Sequence, residues 1–251
     1  MLPRALFTPI LLLSMACSRP PPAHPPHPHA GHSPHAPVHS HGHGHGNGHD
    51  HRDGAPHRFE NADEWAKRFE SPERDAWQKP DAVVAWVGLG ASQSLADIGA
   101  GTGYFSVRFA RQAPHGSILG VDIEPDMVRY MNERARRDAI ANLTAILGAT
   151  DDPRLPAPVD VVFVCDTYHH IEQRTAYFQK VAASLKPAGR LIIVDFKATD
   201  TPVGPPLAMR VAPPQIDTEL APAGFRRVRT DEQTLPHQYM LAYERSATGR
   251  P

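Results

Sequence analysis

The stretch DIGAGTGYFS, Asp97 to Ser106, decides which fold the rest of the sequence can build. It places three glycines on alternate positions directly after the apolar run 94–98, and a helical pattern begins at Tyr104. A glycine turn between a buried strand and a helix is typical of sheets that bind a ligand at the carboxyl ends of their strands. The stretch therefore predicts an α/β fold with its ligand at this turn.

Apolar runs alternate with helical patterns on both sides of the turn. The continuous apolar character of the runs indicates a parallel sheet covered by helices on both faces. The later segments FRRVRTDEQ and HQYMLAYE predict an antiparallel pair at one edge. Strands are predicted at 94–98, 117–122, 143–147, 159–165 and 190–196, and helices from Pro80 and at about 104–112, 126–137 and 173–185.

The spacing of the glycines and two nearby carboxylates indicate the class of ligand. The turn reads G-x-G-x-G, which differs from the G-x-G-x-x-G of a dinucleotide site, and Tyr104 stands where a phosphate loop needs a lysine. Asp97 would repel a pyrophosphate and suits an ammonium group. Asp122, at the end of the next strand, can accept hydrogen bonds from ribose hydroxyls. The pattern predicts a nucleoside with a cationic, phosphate-free tail.

Three segments in this order, LADIGAGTGYFS, GVDIEPDMV and LKPAGRLIIVDF, resemble the motifs of class I S-adenosylmethionine-dependent methyltransferases. The resemblance covers about residues 61–244. It implies a Rossmann-like, seven-stranded, mostly parallel sheet with helices on both faces and an antiparallel last strand. It also implies S-adenosylmethionine as the cofactor. The methyl acceptor is expected to be a small molecule that is methylated on oxygen, sulfur or carbon.

The same resemblance assigns the cofactor-binding residues. Asp97 and the glycine turn surround the methionine end, Asp122 binds the ribose, and Asp151 meets the adenine amino group. Asp152 stays an alternative to Asp151, because an Asp-Pro turn accounts for one of the two. The implied set is Asp97, Gly99, Ala100, Gly101, Gly103, Asp122 and Asp151.

Candidate catalytic residues follow the fourth strand, in the segment CDTYHHIE, where the family's acceptor-facing residues usually lie. They are Asp166, His169 and His170, with Tyr168 beside them. A histidine of near-neutral pKa can take a proton from a hydroxyl, thiol or amine. The alternative is a histidine that packs or orients, and one of the two adjacent histidines must point away if the segment is helical.

Two further features limit or extend this interpretation. Residues 58–251 carry a net charge of about −2, and the Asn-Pro-Pro-Tyr signature of base methylation is absent, so no nucleic acid partner is expected.

Trp65, Phe69 and Trp77 lie at helical spacing and form either a lid over the acceptor or a face packed on the sheet. Cys165 lies in the run VVFVC and is expected to be buried.

Residues 1–17 resemble a secretory signal. One arginine precedes an apolar run that is too short to span a bilayer, and Leu13–Cys17 resembles a lipobox with its leucine one position early. A lipidated Cys17 would attach the protein to a membrane of the cell envelope. The alternative is translation from Met15, which would leave a cytoplasmic protein.

Residues 18–57 hold 12 of the 16 histidines and almost no large apolar side chains, so this segment is expected to be disordered. Residues 58–251 then form the methyltransferase domain. Histidines at this density bind Zn, Ni or Cu, and the alternative is a polar spacer. A competing hypothesis is a lipid-anchored metal-binding protein with a non-catalytic methyltransferase-like domain. The candidate ligands are His39, His41, His43, His45, His49 and His51.

Overall fold

The computed structural model describes residues 61–246. The predicted signal and the histidine-rich segment lie outside these residues. The helices are Ala62–Phe69 (α1), Pro72–Gln78 (α2), Pro80–Val87 (α3), Tyr104–Gln112 (α4), Pro125–Arg137 (α5), Arg174–Ala183 (α6) and Pro213–Leu220 (α7). The strands are Ser94–Ile98 (β1), Ser117–Asp122 (β2), Leu143–Leu147 (β3), Val159–Cys165 (β4), Leu185–Phe196 (β5), Phe225–Asp231 (β6) and Gln238–Arg245 (β7). Single 3₁₀ turns occupy Tyr168–His170 and Leu207–Met209.

The described strands form one seven-stranded sheet in the order β3-β2-β1-β4-β5-β7-β6. Strands β1 to β5 pair in parallel, and β7 runs antiparallel to both β5 and β6. The predicted fold class is confirmed. The strand order reverses between β1 and β4, and the crevice at the carboxyl ends of such a pair is where α/β sheets bind their ligands.

Helices cover both faces of the sheet, as the continuous apolar strands predicted. Successive side chains of a strand point to opposite faces. Accordingly, Leu95 packs in one apolar cluster with residues of α3 and α4, whereas Ala96 packs in a second cluster with residues of α6 and α7. Each face therefore has its own core, and β1 and β4 are buried between the two.

Three details differ from the sequence-based prediction. The segment that carries Trp65, Phe69 and Trp77 at helical spacing forms two helices, because Pro72 cannot continue α1 and instead opens α2. Strand β5 begins at Leu185, which pairs with Val159 before an irregularity in the register, and not at residue 190. Helix α7 was not predicted, since its sequence PPQIDTEL offers only Ile216 and Leu220 as apolar anchors.

Candidate active site

The turn after β1 is built on left-handed glycines. The φ angles of Gly99, Gly101 and Gly103 are 72°, 56° and 85°, which residues with a Cβ rarely adopt. The backbone N–H groups of Gly99 and Ala100 donate to the carbonyl oxygen of Val121 at 2.8 and 3.1 Å. These bonds join the turn to the neighbouring strand β2 at the carboxyl end of the sheet.

Two of the glycines are also required by close packing. A Cβ on Gly99 would lie 2.1 Å from the Oγ1 atom of Thr167, and one on Gly103 would lie 2.9 Å from the Cγ atom of Met131. Thr167 follows β4, and Met131 belongs to α5. The turn is therefore wedged between the post-β4 segment and α5, which fixes its backbone.

Asp122 ends β2 and faces the turn. Its Oδ2 atom accepts the Gly101 N–H at 2.8 Å, and its Oδ1 atom accepts the Glu124 N–H at 3.0 Å. Burial raises the pKa of this carboxyl above its ordinary value, although both hydrogen bonds act in the opposite direction. Each carboxylate oxygen has a second lone pair, so the side chain can still accept hydrogen bonds from a ligand's hydroxyls.

Asp97 is the most deeply buried carboxylate of the turn, at 3% exposure. It accepts a hydrogen bond of 2.6 Å from the Ser106 hydroxyl on α4. Burial raises its pKa to about 7, against the lowering effects of the Ser106 bond and the Arg74 charge. The desolvation cost of the ionised form of Asp97 is offset only in part, and a cationic ligand group would stabilise that form.

The structure places the two adenine candidates at the surface. The Asp151 carboxylate is 3.0 Å from the Lys180 ammonium, and this hydrogen bond lowers its pKa. Asp152 accepts the Arg154 N–H at 2.7 Å, which is the turn role that its Asp-Pro sequence suggested. The assignment of Asp151 to adenine stays a prediction.

His169 forms a buried pair with Asp195. The His169 Nδ1 atom is 3.0 Å from both carboxylate oxygens of Asp195, and the two side chains are 3% and 1% exposed. Burial by itself lowers the pKa of His169, but the hydrogen bond and charge of Asp195, together with the charge of Asp166, raise it overall. Asp195 lies at the end of β5, and His169 lies just after the adjacent strand β4.

The two adjacent histidines separate as a short helical turn requires. His169 is directed inward, whereas His170 is exposed, with the two ring centroids 4.2 Å apart. Arg174 stabilises the 3₁₀ turn that contains both histidines, because it donates to the carbonyl oxygens of Tyr168 and His169 at 3.1 and 3.4 Å. Arg174 in turn pairs with Glu219 of α7 at 3.0 Å.

Asp166, the third catalytic candidate, is held by other side chains. Its Oδ2 atom accepts hydrogen bonds from Gln78 Nε2 at 3.0 Å and from Arg74 at 3.3 Å, and its Oδ1 atom accepts one from Gln238. Burial is the main cause of a raised pKa in Asp166. The structure thus places Asp166 as the anchor of α2, while Cys165 before it is buried as expected.

Helices α1 and α2 lie over this end of the sheet. A Cβ on Gly101 would be 3.4 Å from the Phe69 ring, and the Trp77 ring lies 5.6 Å from Phe196 and 6.4 Å from His237 by centroid. Both aromatic side chains therefore contact residues of the turn or of the strand ends. These contacts pack the apolar face of the two helices on the strand ends, and a lid over the acceptor stays a prediction.

Asp195, Arg74 and Gln78 were not among the residues predicted from the sequence. Asp195 did carry a signal, because it is the one charged residue within the apolar stretch LIIVDF. Arg74 and Gln78 had none, since they are ordinary polar residues of a short helix. Their importance depends on contacts across more than 85 positions of the chain, such as Gln78 to Cys165 and Gln78 to Asp166.

Residues 61–246 contain no group of three or more histidine, cysteine or acidic side chains that could hold a metal ion. Within the same residues, no helix has the length and apolar character to cross a membrane. The predicted metal ligands between His39 and His51, and the predicted lipidation site Cys17, lie outside the described part of the chain.

The curated proteins that are similar to this chain include several named methyltransferases. The chain is 28% identical over 143 residues to 27-O-demethylrifamycin SV methyltransferase of Amycolatopsis mediterranei, covering 56% of this chain and 52% of the relative. It is 29% identical over 111 residues to the mitochondrial ubiquinone biosynthesis O-methyltransferase of Schizosaccharomyces pombe, covering 43% and 40%. The chain spans about half or less of the length of these relatives.

Solved structures share the fold. A SAM-dependent methyltransferase from Aquifex aeolicus has a TM-score of 0.67 at 22% identity, over 72% of this chain and 96% of that one. Magnesium protoporphyrin IX methyltransferase from Synechocystis, with bound SAH, has a TM-score of 0.57 at 20% identity, over 73% and 93%. A family model described as "Methyltransferase domain" matches residues 91–229, from before β1 into β6. The chain belongs to this methyltransferase family and has the class I methyltransferase fold.

Proposed function

We propose that this protein is an S-adenosylmethionine-dependent methyltransferase that methylates a hydroxyl group of a small molecule, with His169 as the base. The buried pair of His169 and Asp195 carries the proposal, because it stands at the carboxyl ends of β4 and β5, next to the strand with the glycine turn. Family membership supports the type of reaction. The name of one relative, ubiquinone biosynthesis O-methyltransferase, supports oxygen as the acceptor atom.

The residues of the turn fit this cofactor. Asp97 offers a buried carboxylate for the ammonium group, and Asp122 offers one for the ribose hydroxyls. When bound, S-adenosylmethionine supplies a methyl group that its sulfonium has already activated. The chain therefore has to align the acceptor, exclude water and remove one proton.

The geometry of His169 suits the removal of a proton. Asp195 occupies the Nδ1 side of the ring, so an ionised Asp195 keeps the proton on Nδ1 and leaves the Nε2 lone pair to act as base. The imidazolium that forms is stabilised by the same carboxylate. An apolar wall lies close by, because Phe196 follows Asp195 and its ring contacts Trp77. This wall favours an apolar, ring-containing acceptor.

Calorimetric titration with S-adenosylmethionine, S-adenosylhomocysteine and NADH tests the cofactor. We expect micromolar binding of the first two, a free energy of about −8 kcal/mol, and none of NADH. Turnover is then sought with a panel of phenols and quinols. Cofactor binding without turnover of any acceptor would favour the competing hypothesis of a non-catalytic domain.

Asp122→Ala is expected to weaken binding of S-adenosylhomocysteine by about 1.5–3 kcal/mol, because the ribose hydroxyls lose a charged hydrogen-bond partner. Titration calorimetry measures the change. Asp160→Ala is the matched control, since the Asp160 carboxylate also accepts several hydrogen bonds but lies at the opposite end of the sheet, at the start of β4. Equal affinities of the Asp122 variant and wild type would refute the assignment.

For residues 1–57 we propose a lipid anchor at Cys17 and a weak site for Zn, Ni or Cu between His39 and His51, both from the sequence alone. Deleting residues 18–57 is expected to abolish zinc binding in a titration and to leave cofactor affinity unchanged. Cys17→Ser is expected to move the protein from the membrane fraction to the soluble fraction of the cell. Zinc binding that survives the deletion, or a membrane association that survives the substitution, contradicts the respective proposal.

A further inference from the structure

The ring of Tyr104, the first residue of α4, lies between two guanidinium groups. The Cζ atoms of Arg74 and Arg108 are 4.1 and 4.0 Å from its centroid. Arg74 comes from α2, and Arg108 belongs to α4 itself. The Arg74 Cζ atom also lies 5.9 Å from the centroid of the Phe69 ring, and this ring packs against Gly101 of the glycine turn.

Arg74 is buried without a full set of partners. Its side chain is 15% exposed, and three of its five N–H groups donate: to the Phe69 carbonyl at 3.1 Å, to Asp166 at 3.3 Å and to the Gln78 side chain. A guanidinium has five N–H donors, so two remain for a ligand. Its only carboxylate partner among the described residues is Asp166, at 3.3 Å.

The other arginine at the turn differs in this respect. Arg134 of α5 makes two hydrogen bonds with the two carboxylate oxygens of Glu70 and one of 3.1 Å with the carbonyl oxygen of Thr102. Glu70 also accepts the Thr102 hydroxyl at 2.7 Å. Both carboxylate oxygens of Glu70 therefore pair with Arg134, in a contact that joins α1 to the turn. In the described part of the chain, Arg74 has one carboxylate contact, to a single oxygen of Asp166 at 3.3 Å.

Carboxylates outnumber the available cations around the glycine turn. Asp97, Asp122 and Asp166 are three carboxylates on successive strand ends, and they would repel a negatively charged ligand group. The amino-acid part of S-adenosylmethionine carries one ammonium and one carboxylate. The ammonium suits Asp97, but the carboxylate needs a cation at the same place. Arg74 lowers the pKa of Asp97 by its charge, so its field reaches this position.

On the basis of the proposed function, we propose that Arg74 binds the carboxylate of the cofactor's methionine part. The guanidinium uses its two remaining N–H groups for this contact, and planar donors of this kind match a carboxylate well. Arg74 belongs to α2, so the contact also joins this helix to the cofactor. Ligands that keep the adenosine but lack the carboxylate lose this contact.

The test compares S-adenosylhomocysteine with its decarboxylated analogue, S-adenosyl-3-thiopropylamine, by calorimetry on the full chain. In wild type we expect the analogue to bind about 10- to 100-fold more weakly. Arg74→Gln is expected to weaken S-adenosylhomocysteine by the same factor and to leave the analogue unchanged. Arg108→Gln is the matched control on the other side of the Tyr104 ring, and we expect it to bind both ligands as wild type does.

Arg74→Lys keeps the charge without the planar donors, and its loss for S-adenosylhomocysteine is expected to lie between those of wild type and Arg74→Gln. Circular dichroism melts confirm that each variant is folded. An equal loss for both ligands in Arg74→Gln, or no loss for either, overturns the role of Arg74. Failure of the wild type to bind any adenosyl ligand overturns the proposed function, and with it this inference.

Discussion

His169→Asn is expected to lower kcat about 10²- to 10⁴-fold while the affinity for S-adenosylhomocysteine stays within about twofold of wild type. Asparagine keeps a polar group near Asp195 but cannot take a proton from the acceptor. Steady-state kinetics with the acceptor found by screening measures kcat, and calorimetry measures the affinity. His170→Asn is the matched control, because this neighbouring histidine is exposed, whereas His169 is the one whose ring is paired with Asp195 in the interior.

The pH profile separates a base from a packing residue. His169 acts only when it is neutral, so wild-type kcat is expected to rise as pH increases through its raised pKa and then to level off. Asp195→Asn removes the hydrogen bond and charge that raise this pKa, so the rise is expected at lower pH and the plateau is lower. A His169→Asn variant that retains the wild-type kcat and profile would show that the ring only packs.

Asp97→Asn is expected to have two opposite effects. Binding of S-adenosylmethionine weakens at least about 10²-fold, because the ammonium loses a buried carboxylate. The free energy of unfolding at pH 8 is expected to rise by about 2 kcal/mol. The raised pKa of Asp97, from 3.8 to about 7, means that the buried charge destabilises the folded protein by roughly 4 kcal/mol at this pH. Asparagine removes this cost but adds a smaller one, because its buried amide has an unpaired N–H. Calorimetry and denaturant unfolding measure the two effects.

The raised pKa of Asp97 also makes stability and cofactor affinity depend on pH. Between pH 3.8 and about 7 the folded protein binds more protons at Asp97 than the unfolded chain does, so this residue makes stability fall as pH rises. Cofactor affinity changes the other way, because the ammonium requires the ionised carboxylate. We expect wild-type affinity to increase up to tenfold per pH unit below 7, with release of a proton, and the Asp97→Asn variant to lack this dependence.

Ser106→Ala provides a control on this explanation. The Ser106 hydroxyl donates to Asp97 and lowers its pKa, so its removal is expected to move the pH dependence of cofactor affinity upward without abolishing it. Titrations in two buffers of different ionisation enthalpy count the proton released. An Asp97→Asn variant with wild-type affinity and unchanged stability would contradict both the assigned contact and the buried charge.

Most of the fold was predictable from local patterns. Strands β1 to β4 have the bounds that their apolar runs indicated, and α4 begins directly after the glycine turn as expected. Such patterns act over a few residues, since burial of a continuous apolar run and the φ angles of glycine are properties of the segment itself. Helix α7 was not predicted, because its apolar pattern is too sparse to be distinguished from that of a loop.

Local sequence patterns thus predicted the alternation of strands β1 to β5 with helices α4 to α6, the parallel pairing of these strands, and the position of the glycine turn with Asp97 and Asp122. The tertiary structure alone decided that Asp195 faces His169, that α1 and α2 lie over the turn, and that Arg74 lies near it. The reason is physical. These contacts join residues that are far apart in the chain, and they exist only because the register of β4 against β5 and the packing of a short helix bring the side chains within hydrogen-bond distance.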